Sequence, residues 1–251
     1  MVEQTLAGLK EMRLSAMAQE HSRQLEVAET LELTFDERLS MMCAAEQAKR
    51  ADSRLKRLVR SATLADRCAS LEEIRYSEGR NISKEAIARL SGLSWVRQAS
   101  NIIFTGATGT GKSWIASAWG KYACLHGHST KMVRLPRLDA ELHYARNESA
   151  YLKLLDRLCR VEVLIIDDFG LDRLDTRLGR DLLEIADARY RKRPTVLTAQ
   201  VPVAGWHGLF DDKTIADAFL DRVVHNSYRL ELKGPSLRGE ARIAGTAKEK
   251  Y

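Results

Sequence analysis

The stretch Gly106-Ala107-Thr108-Gly109-Thr110-Gly111-Lys112-Ser113 decides the fold of this chain. It matches the pattern G-x-x-x-x-G-K-[ST], in which glycines let successive backbone N–H groups turn towards a polyphosphate. A short apolar run at residues 101–105 precedes it, and residues 114–125 follow with apolar side chains at helical spacing. Strand, glycine loop and helix are the context that the pattern requires, because the helix N-terminus then faces the same anion. We therefore predict a nucleotide site here rather than a glycine-rich surface turn.

Two side chains of this stretch are predicted to act on the nucleotide directly. Lys112 can reach the β- and γ-phosphates, and Ser113 can offer its hydroxyl to Mg²⁺. Trp114 opens the helix that follows, and we include it in the predicted nucleotide site. The sequence therefore predicts that a nucleoside triphosphate binds together with Mg²⁺.

The composition is that of a folded protein without membrane or disulfide features. The chain has 251 residues, 45% of them hydrophobic, and no apolar run approaches the length of a membrane span. The N-terminus lacks the basic start and apolar run of a secretory signal, so we expect a cytoplasmic protein with no membrane partner. The four cysteines are far apart, which favours neither zinc nor a disulfide framework. A net charge of +6 is compatible with a nucleic-acid partner but does not require one.

From residue 101 onward, strands alternate with helices along the chain. Apolar runs predict further strands at residues 131–135, 161–166, 195–199 and 228–232. This alternation predicts an α/β fold with a parallel sheet covered by helices on both sides. The first part of the chain is instead rich in strong helix formers. We therefore predict an all-α N-terminal domain at residues 1–76, a linker at 77–94, a nucleotide-binding domain at 95–238 and a polar tail at 239–251.

The N-terminal region carries a pattern of positive charge on one predicted helix. Thr34 and Glu37 form a capping box, so the helix is expected to begin directly after Thr34. Further along this helix, three arginines fall on one face: Arg50, Arg54 and Arg57. Spaced arginines on one face match the phosphates of duplex DNA. A solvated outer face of a helix bundle explains the same pattern equally well, and this segment alone does not decide between them.

Two adjacent acids follow the apolar strand at residues 161–166. A carboxylate at the C-terminal end of a parallel strand lies where ligands bind in open α/β sheets. Asp167 is the predicted Mg²⁺ ligand together with Ser113. Asp168 is then placed to orient or polarise the attacking water. A plain turn or a helix cap is the alternative for this pair of acids.

Two further side chains are candidates for contact with a nucleotide. Gln200 ends the strand at residues 195–199, where its amide either contacts the γ-phosphate or its water, or is simply solvated. Arg222 falls within the apolar stripe of the helix predicted at residues 214–225, and a guanidinium in such a stripe is costly unless it is paired. It can snorkel to a nearby edge, or it can reach the nucleotide of a neighbouring subunit as an arginine finger.

Five stretches of the chain, taken together, carry a family resemblance. They are SWVRQ at 94–98, GATGTGKS at 106–113, LIIDDFG at 164–170, ADAFLDRVVHN at 216–226 and RLELKGPSLR at 229–238. They resemble the P-loop ATPases of the AAA+ class and, within it, the IstB-like transposition helpers, which are relatives of the DnaC helicase loaders. The glycine loop is common to many NTPases, whereas the last two stretches are far more specific.

The resemblance implies an ATPase that assembles with itself on double-stranded DNA, as a ring or a helical filament. It further implies that this assembly bends the DNA and recruits a partner transposase. ATP and Mg²⁺ are the implied cofactors, bound by Lys112, Ser113 and Asp167. Many AAA+ proteins carry Glu where Asp168 stands, so the shorter side chain predicts slower hydrolysis.

The resemblance also implies roles by position. Asp168 takes the place of the catalytic acid, and Arg222 takes that of the arginine finger. Gln200 and Arg238 take the places of two polar sensors. The implied catalytic residues are Asp168, Arg222, Gln200 and Lys112.

The same residues allow two other functions. In a helicase-loader adaptor, the N-terminal helices would grip a replicative helicase, and the arginine stripe would meet an acidic protein surface. In the simplest case, the chain is a monomeric nucleotide-binding domain that does not assemble.

Overall fold

The computed structural model describes residues 1–76 and 79–237, and of residue 31 only the main chain. The chain divides into two compact units, one formed by Met1–Arg57 and the other beginning at Leu58. None of the helices in the described residues is both long and apolar enough to cross a membrane.

The first unit is helical. Its helices are α1 (Val2–Glu11), α2 (Ser15–Glu26), α3 (Ala28–Leu31) and α4 (Phe35–Ser61), the last of which continues into the second unit. The predicted capping box is confirmed at the start of α4. Glu37 Oε2 accepts from the Thr34 N–H at 2.8 Å, and Thr34 Oγ1 accepts from the Glu37 N–H at 3.4 Å.

A buried carboxylate ties α2 to α4 within this unit. Glu46 is 6% exposed, and its Oε2 accepts from the N–H groups of Ala16 and Met17 at 3.0 and 3.4 Å. These two donors lie in the first turn of α2, where the helix itself provides no acceptors. Arg50 donates to the other oxygen at 2.9 Å and holds the pKa of Glu46 below its ordinary value. One arginine of the predicted stripe is therefore engaged in the structure of the unit itself.

Five parallel strands form the sheet in the described part of the second unit. They are β1 (Asn101–Gly106), β2 (Thr130–Arg134), β3 (Val163–Phe169), β4 (Thr195–Ala199) and β5 (Ser227–Leu232). Their order across the sheet is β2-β3-β4-β1-β5. Every residue of β4 is buried, as are the first five residues of β1 and of β3. Burial on both faces is typical of parallel strands that are sandwiched between helices.

Helices connect and cover these strands. They are α5 (Lys84–Ser91), α6 (Ser94–Arg97), α7 (Lys112–Leu125), α8 (Leu135–Asn147), α9 (Tyr151–Arg160), α10 (Thr176–Arg189) and α11 (Lys213–Val224). Short 3₁₀ segments occupy Leu71–Glu73 and Val203–Leu209. The predicted fold class, an α/β P-loop sheet flanked by helices and preceded by a helical region, is confirmed.

The strand β3 includes both acids, Asp167 and Asp168. The sequence instead predicts a strand that ends before them, at residue 166. Ile166 pairs with Leu197 and Phe169 with Ala199, so three steps along β3 match two along β4. One extra residue is accommodated there, as in a β-bulge. Asp168 takes φ +59° at this point, a left-handed conformation that costs a non-glycine residue about 1–2 kcal/mol.

The second unit begins earlier in the chain than the domain boundary expected at residues 76–77. Directly after α4 the chain is bonded to β2, because Ala62 O accepts from Met132 N at 2.7 Å and Thr63 Oγ1 donates to Met132 O at 2.6 Å. The described part of the expected linker also belongs to this unit. Its helix α5 buries Ile87 and Leu90. Helix propensity does not reveal the division between Arg57 and Leu58, because α4 continues as a helix to Ser61.

Candidate nucleotide site

The predicted phosphate loop lies between β1 and α7. Three of its glycines have positive φ: Gly106 (+143°), Gly109 (+87°) and Gly111 (+92°). A Cβ at Gly106 would collide with the carbonyl oxygen of Leu232, and one at Gly109 would collide with the side chain of Ser236. The loop therefore needs glycine both for its backbone conformation and for the close approach of the chain that follows β5.

Lys112 is held against this loop. It opens α7, is 7% exposed, and its Nζ donates to the carbonyl oxygens of Gly106 and Ala107 at 2.8 Å each. A buried ammonium is stable only with such partners. The lysine is thus positioned at the loop by two of the loop's own carbonyls, where its charge favours an anion.

A group of oxygen atoms lies directly beside the loop. Asp167 on β3 is 2% exposed, and its Oδ1 accepts from Ser113 Oγ at 2.8 Å and from Thr198 Oγ1. Carboxylate and hydroxyl oxygens are the donors that Mg²⁺ prefers. The residues present therefore fit the metal, with Asp167 and Ser113 as the groups that would hold it. Thr198 was not predicted, although a polar residue inside the buried strand β4 was a visible signal.

Asp168, the predicted catalytic acid, forms an ion pair within its own chain. Arg134, the last residue of β2, donates Nε to Asp168 Oδ2 at 2.9 Å and brings Nη2 to 2.7 Å from the same oxygen. The carboxylate raises the pKa of Arg134 above its ordinary value. The Asp168 N–H donates to Thr198 Oγ1 at 3.1 Å, which fixes the bulge. Arg134 was missed because its partner lies far away in sequence.

The phosphate loop and Asp168 line one cleft of about 1190 Å³. The cleft brings together six side chains of interest: the predicted Lys112, Ser113, Trp114, Asp168 and Gln200, and Arg134, which was not predicted. It is also lined by Asp66, Arg75 and Arg80, which precede β1 in the chain. Those three residues fall where the sequence predicted a helical domain and a linker, so sequence reasoning did not place them at the nucleotide.

Arg222 lies at the other end of the sheet. Its main-chain carbonyl accepts from Asn101 Nδ2 at 3.4 Å, and Asn101 is the first residue of β1, whereas the phosphate loop starts from the last. Five strand steps of about 3.3 Å separate these ends by roughly 16 Å. The guanidinium is paired within the chain, with Asp187 through Nε and with Ala218 O through Nη1 at 2.8 Å. The arginine thus leaves its apolar stripe, and it is not part of the nucleotide cleft of its own subunit.

The three arginines of the predicted stripe belong to the first unit. Arg54 and Arg57 are exposed on α4 in the first unit and form no hydrogen bond or ion pair within the described residues. Arg50 is paired with Glu46. The predicted second sensor, Arg238, and the tail at 239–251 lie outside the described residues.

The described residues have the fold of the P-loop proteins of the AAA+ class. The family model of the IstB-like ATP binding proteins matches residues 7–244, and the chain belongs to this family. It is 37% identical over 238 residues to the insertion-sequence ATP-binding protein y4pL of Sinorhizobium fredii, covering 95% of this chain and 97% of that one. It is 40% identical over 202 residues to the ATP-binding protein of insertion sequence IS1162 from Pseudomonas fluorescens, covering 80% and 87%.

A solved structure resembles the chain in its fold. The DnaC helicase loader superposes with a TM-score of 0.53 at 19% identity, covering 66% of this chain and 97% of that one. At this identity the likeness concerns the fold alone.

Proposed function

We propose that this chain is the ATPase helper of an insertion sequence, which assembles on duplex target DNA in the presence of ATP and recruits the partner transposase. Relatives that belong to insertion sequences support this genetic setting. The observation that supports assembly is the position of Arg222, roughly 16 Å along β1 from the phosphate loop of its own chain. An arginine there can serve a nucleotide only across a contact between subunits.

Hydrolysis of ATP is supported by the residues gathered in the cleft. Lys112 places a positive charge at the phosphate loop, and Ser113 with Asp167 would hold Mg²⁺, which neutralises phosphate charge when bound. Asp168 lies at the wall of the cleft, where it can orient water or accept its proton. To do so, its carboxylate has to leave or share the ion pair with Arg134.

Replacement of Asp168 separates binding of ATP from its hydrolysis. We expect Asp168→Asn to bind ATP with unchanged affinity and to hydrolyse it at least about 100-fold more slowly, because the amide cannot accept a proton. Steady-state phosphate release and equilibrium binding of a fluorescent ATP analogue measure the two effects. Asp172→Asn, which changes an exposed acid a few residues further on, is the matched control and should behave as wild type. Full hydrolysis by Asp168→Asn would remove Asp168 from the catalytic set.

Binding to duplex DNA tests the proposed function itself. We expect fluorescence anisotropy of a labelled duplex to show tight binding with a non-hydrolysable ATP analogue and weak binding with ADP. Affinity should fall steeply between 50 and 200 mM salt, since each phosphate contact contributes about −0.9 to the logarithmic salt slope. Electron microscopy of the same samples should show a ring or a filament only when the ATP analogue is present.

Charge reversals on α4 test where the DNA binds. We expect Arg54→Glu and Arg57→Glu to weaken duplex binding and to lower the salt slope by about one each. Lys10→Glu, an exposed charge reversal on α1 of the same unit, should have a smaller effect. Salt-insensitive duplex binding that does not depend on ATP would contradict the proposal. Co-purification with a replicative helicase in the absence of duplex binding would favour the adaptor function instead.

A further inference from the structure

Arg80 lies against the phosphate loop although it stands thirty residues before it in the chain. The side chain is only 5% exposed. Its Nη2 donates to the carbonyl oxygen of Thr110 at 3.0 Å, and its Nη1 donates to the carbonyl oxygen of Arg75 at 2.7 Å. The same nitrogen, Nη2, lies 3.3 Å from the position that a Cβ on Gly111 would take. The guanidinium is therefore packed directly against the loop between Thr110 and Lys112.

The bond to Thr110 fixes the orientation of one peptide group of the loop. In a trans peptide the C=O and the following N–H point in opposite directions. When Arg80 holds the Thr110 carbonyl, the N–H of Gly111 must point away from Arg80. A charged donor is a stronger tether for a carbonyl than a neutral one. Without it, this glycine-flanked peptide could rotate, because glycine tolerates both senses of φ.

The segment that follows β5 also contacts the phosphate loop. The Leu237 N–H donates to Gly109 O at 3.0 Å, and Ser236 packs where Gly109 has no side chain. The Lys233 N–H donates to Arg80 O at 3.0 Å. Arg80 thus joins the loop through its side chain and the segment after β5 through its main chain.

We propose that Arg80 is a positioning residue of the nucleotide site. It fixes the Thr110–Gly111 peptide so that the loop is preorganised for the phosphates of a nucleoside di- or triphosphate, and it places a permanent positive charge behind that loop. Its contribution is directed at the phosphates and not at the base or ribose. Preorganisation of this kind raises affinity by lowering the ordering cost of binding.

Substitution of Arg80 tests this assignment in equilibrium binding, without hydrolysis, DNA or assembly. Fluorescence titration with a labelled ADP, followed by competition with ADP and adenosine, gives the affinity for a nucleotide with and without phosphates. We expect Arg80→Met to lower ADP affinity by roughly 10- to 100-fold while adenosine affinity stays the same. Arg80→Lys should fall between wild type and Arg80→Met, because an ammonium keeps the charge but not the forked donor geometry.

Arg89→Ala is the matched control. Arg89 is an exposed arginine of α5, nine residues after Arg80, and it does not line the cleft. We expect its ADP affinity to stay within about twofold of wild type, since an exposed charge is well screened. Thermal unfolding without nucleotide shows that each variant is folded before it is titrated.

Three results would overturn the proposal. Folded Arg80→Met with wild-type ADP affinity would show that the tether is irrelevant to the loop. An equal loss of ADP and adenosine affinity would indicate a collapsed cleft instead of a misoriented loop. Failure of both Arg80→Met and Arg80→Lys to fold would make Arg80 a residue of the fold alone. These results concern nucleotide binding by the single chain, so they stand apart from any failure of DNA binding or transposase recruitment.

Discussion

Lys112→Ala is expected to abolish ATP binding, with a loss of affinity of at least about 100-fold, because it removes the ammonium that the loop holds ready for the phosphates. The carbonyls of Gly106 and Ala107 would then lose their donor and present partial negative charge to the incoming anion. Isothermal titration with ATP and ADP measures the loss. All ATP-dependent assembly should disappear with it.

Lys121→Ala is the control for this experiment. Lys121 stands on the same helix, α7, but donates to Cys68 O at 3.3 Å, away from the loop. The variant should bind ATP like wild type. If Lys112→Ala bound ATP with full affinity, the nucleotide site would have to lie elsewhere in the chain.

Arg222→Ala is expected to leave ATP binding by the single chain intact and to lower assembly-dependent hydrolysis by about 1000-fold, which is the lower range for arginine fingers. The reason is its position at the far end of β1 from the phosphate loop, so that in the proposed assembly it would act on a neighbour's nucleotide. ATP hydrolysis measured with and without duplex DNA, over a range of protein concentration, separates the assembled from the basal rate. Arg229→Ala is the control, because Arg229 is exposed on β5 and donates to Val224 O near the same end of α11.

Mixing two inactive variants tests whether Arg222 acts between subunits. An Arg222→Ala subunit keeps Asp168, and an Asp168→Asn subunit keeps Arg222. If the arginine acts across the junction, co-assembly restores hydrolysis at junctions where the intact acid meets the intact arginine. If Arg222 acts within its own chain, the mixture stays as inactive as either variant alone, and the finger assignment is wrong.

The sequence predicts the parts of this site that are contiguous in the chain. The loop at 106–113 contains the glycines, the lysine and the hydroxyl. Asp167 lies near the C-terminal end of β3, at the end of the sheet where ligands bind between parallel strands. Strand alternation was enough to give the α/β class. These features depend on local spacing and on a general rule of sheet topology, and a single sequence is enough to apply both.

The remaining features depend on pairs that meet only after folding. Arg134 reaches Asp168 because β2 and β3 are neighbours, and Thr198 reaches Asp167 because β4 is the next strand. Arg80 bonds to Thr110 although it stands in a segment whose composition is typical of a linker. The left-handed Asp168 has no signature in a strand pattern. No periodicity reports contacts between such distant positions.

The position of Arg222 has a consequence for the symmetry of the proposed assembly. A nucleotide cleft at one end of β1 and an arginine at the other allow a head-to-tail contact, in which the arginine of one subunit meets the cleft of the next. Such contacts close into a ring or continue as a helix with a direction. In an open helix, one terminal subunit offers a cleft that no arginine completes, and the opposite one offers an arginine that completes no cleft. The two ends would then retain ATP for different times, so that the assembly would grow and shorten unequally along the DNA.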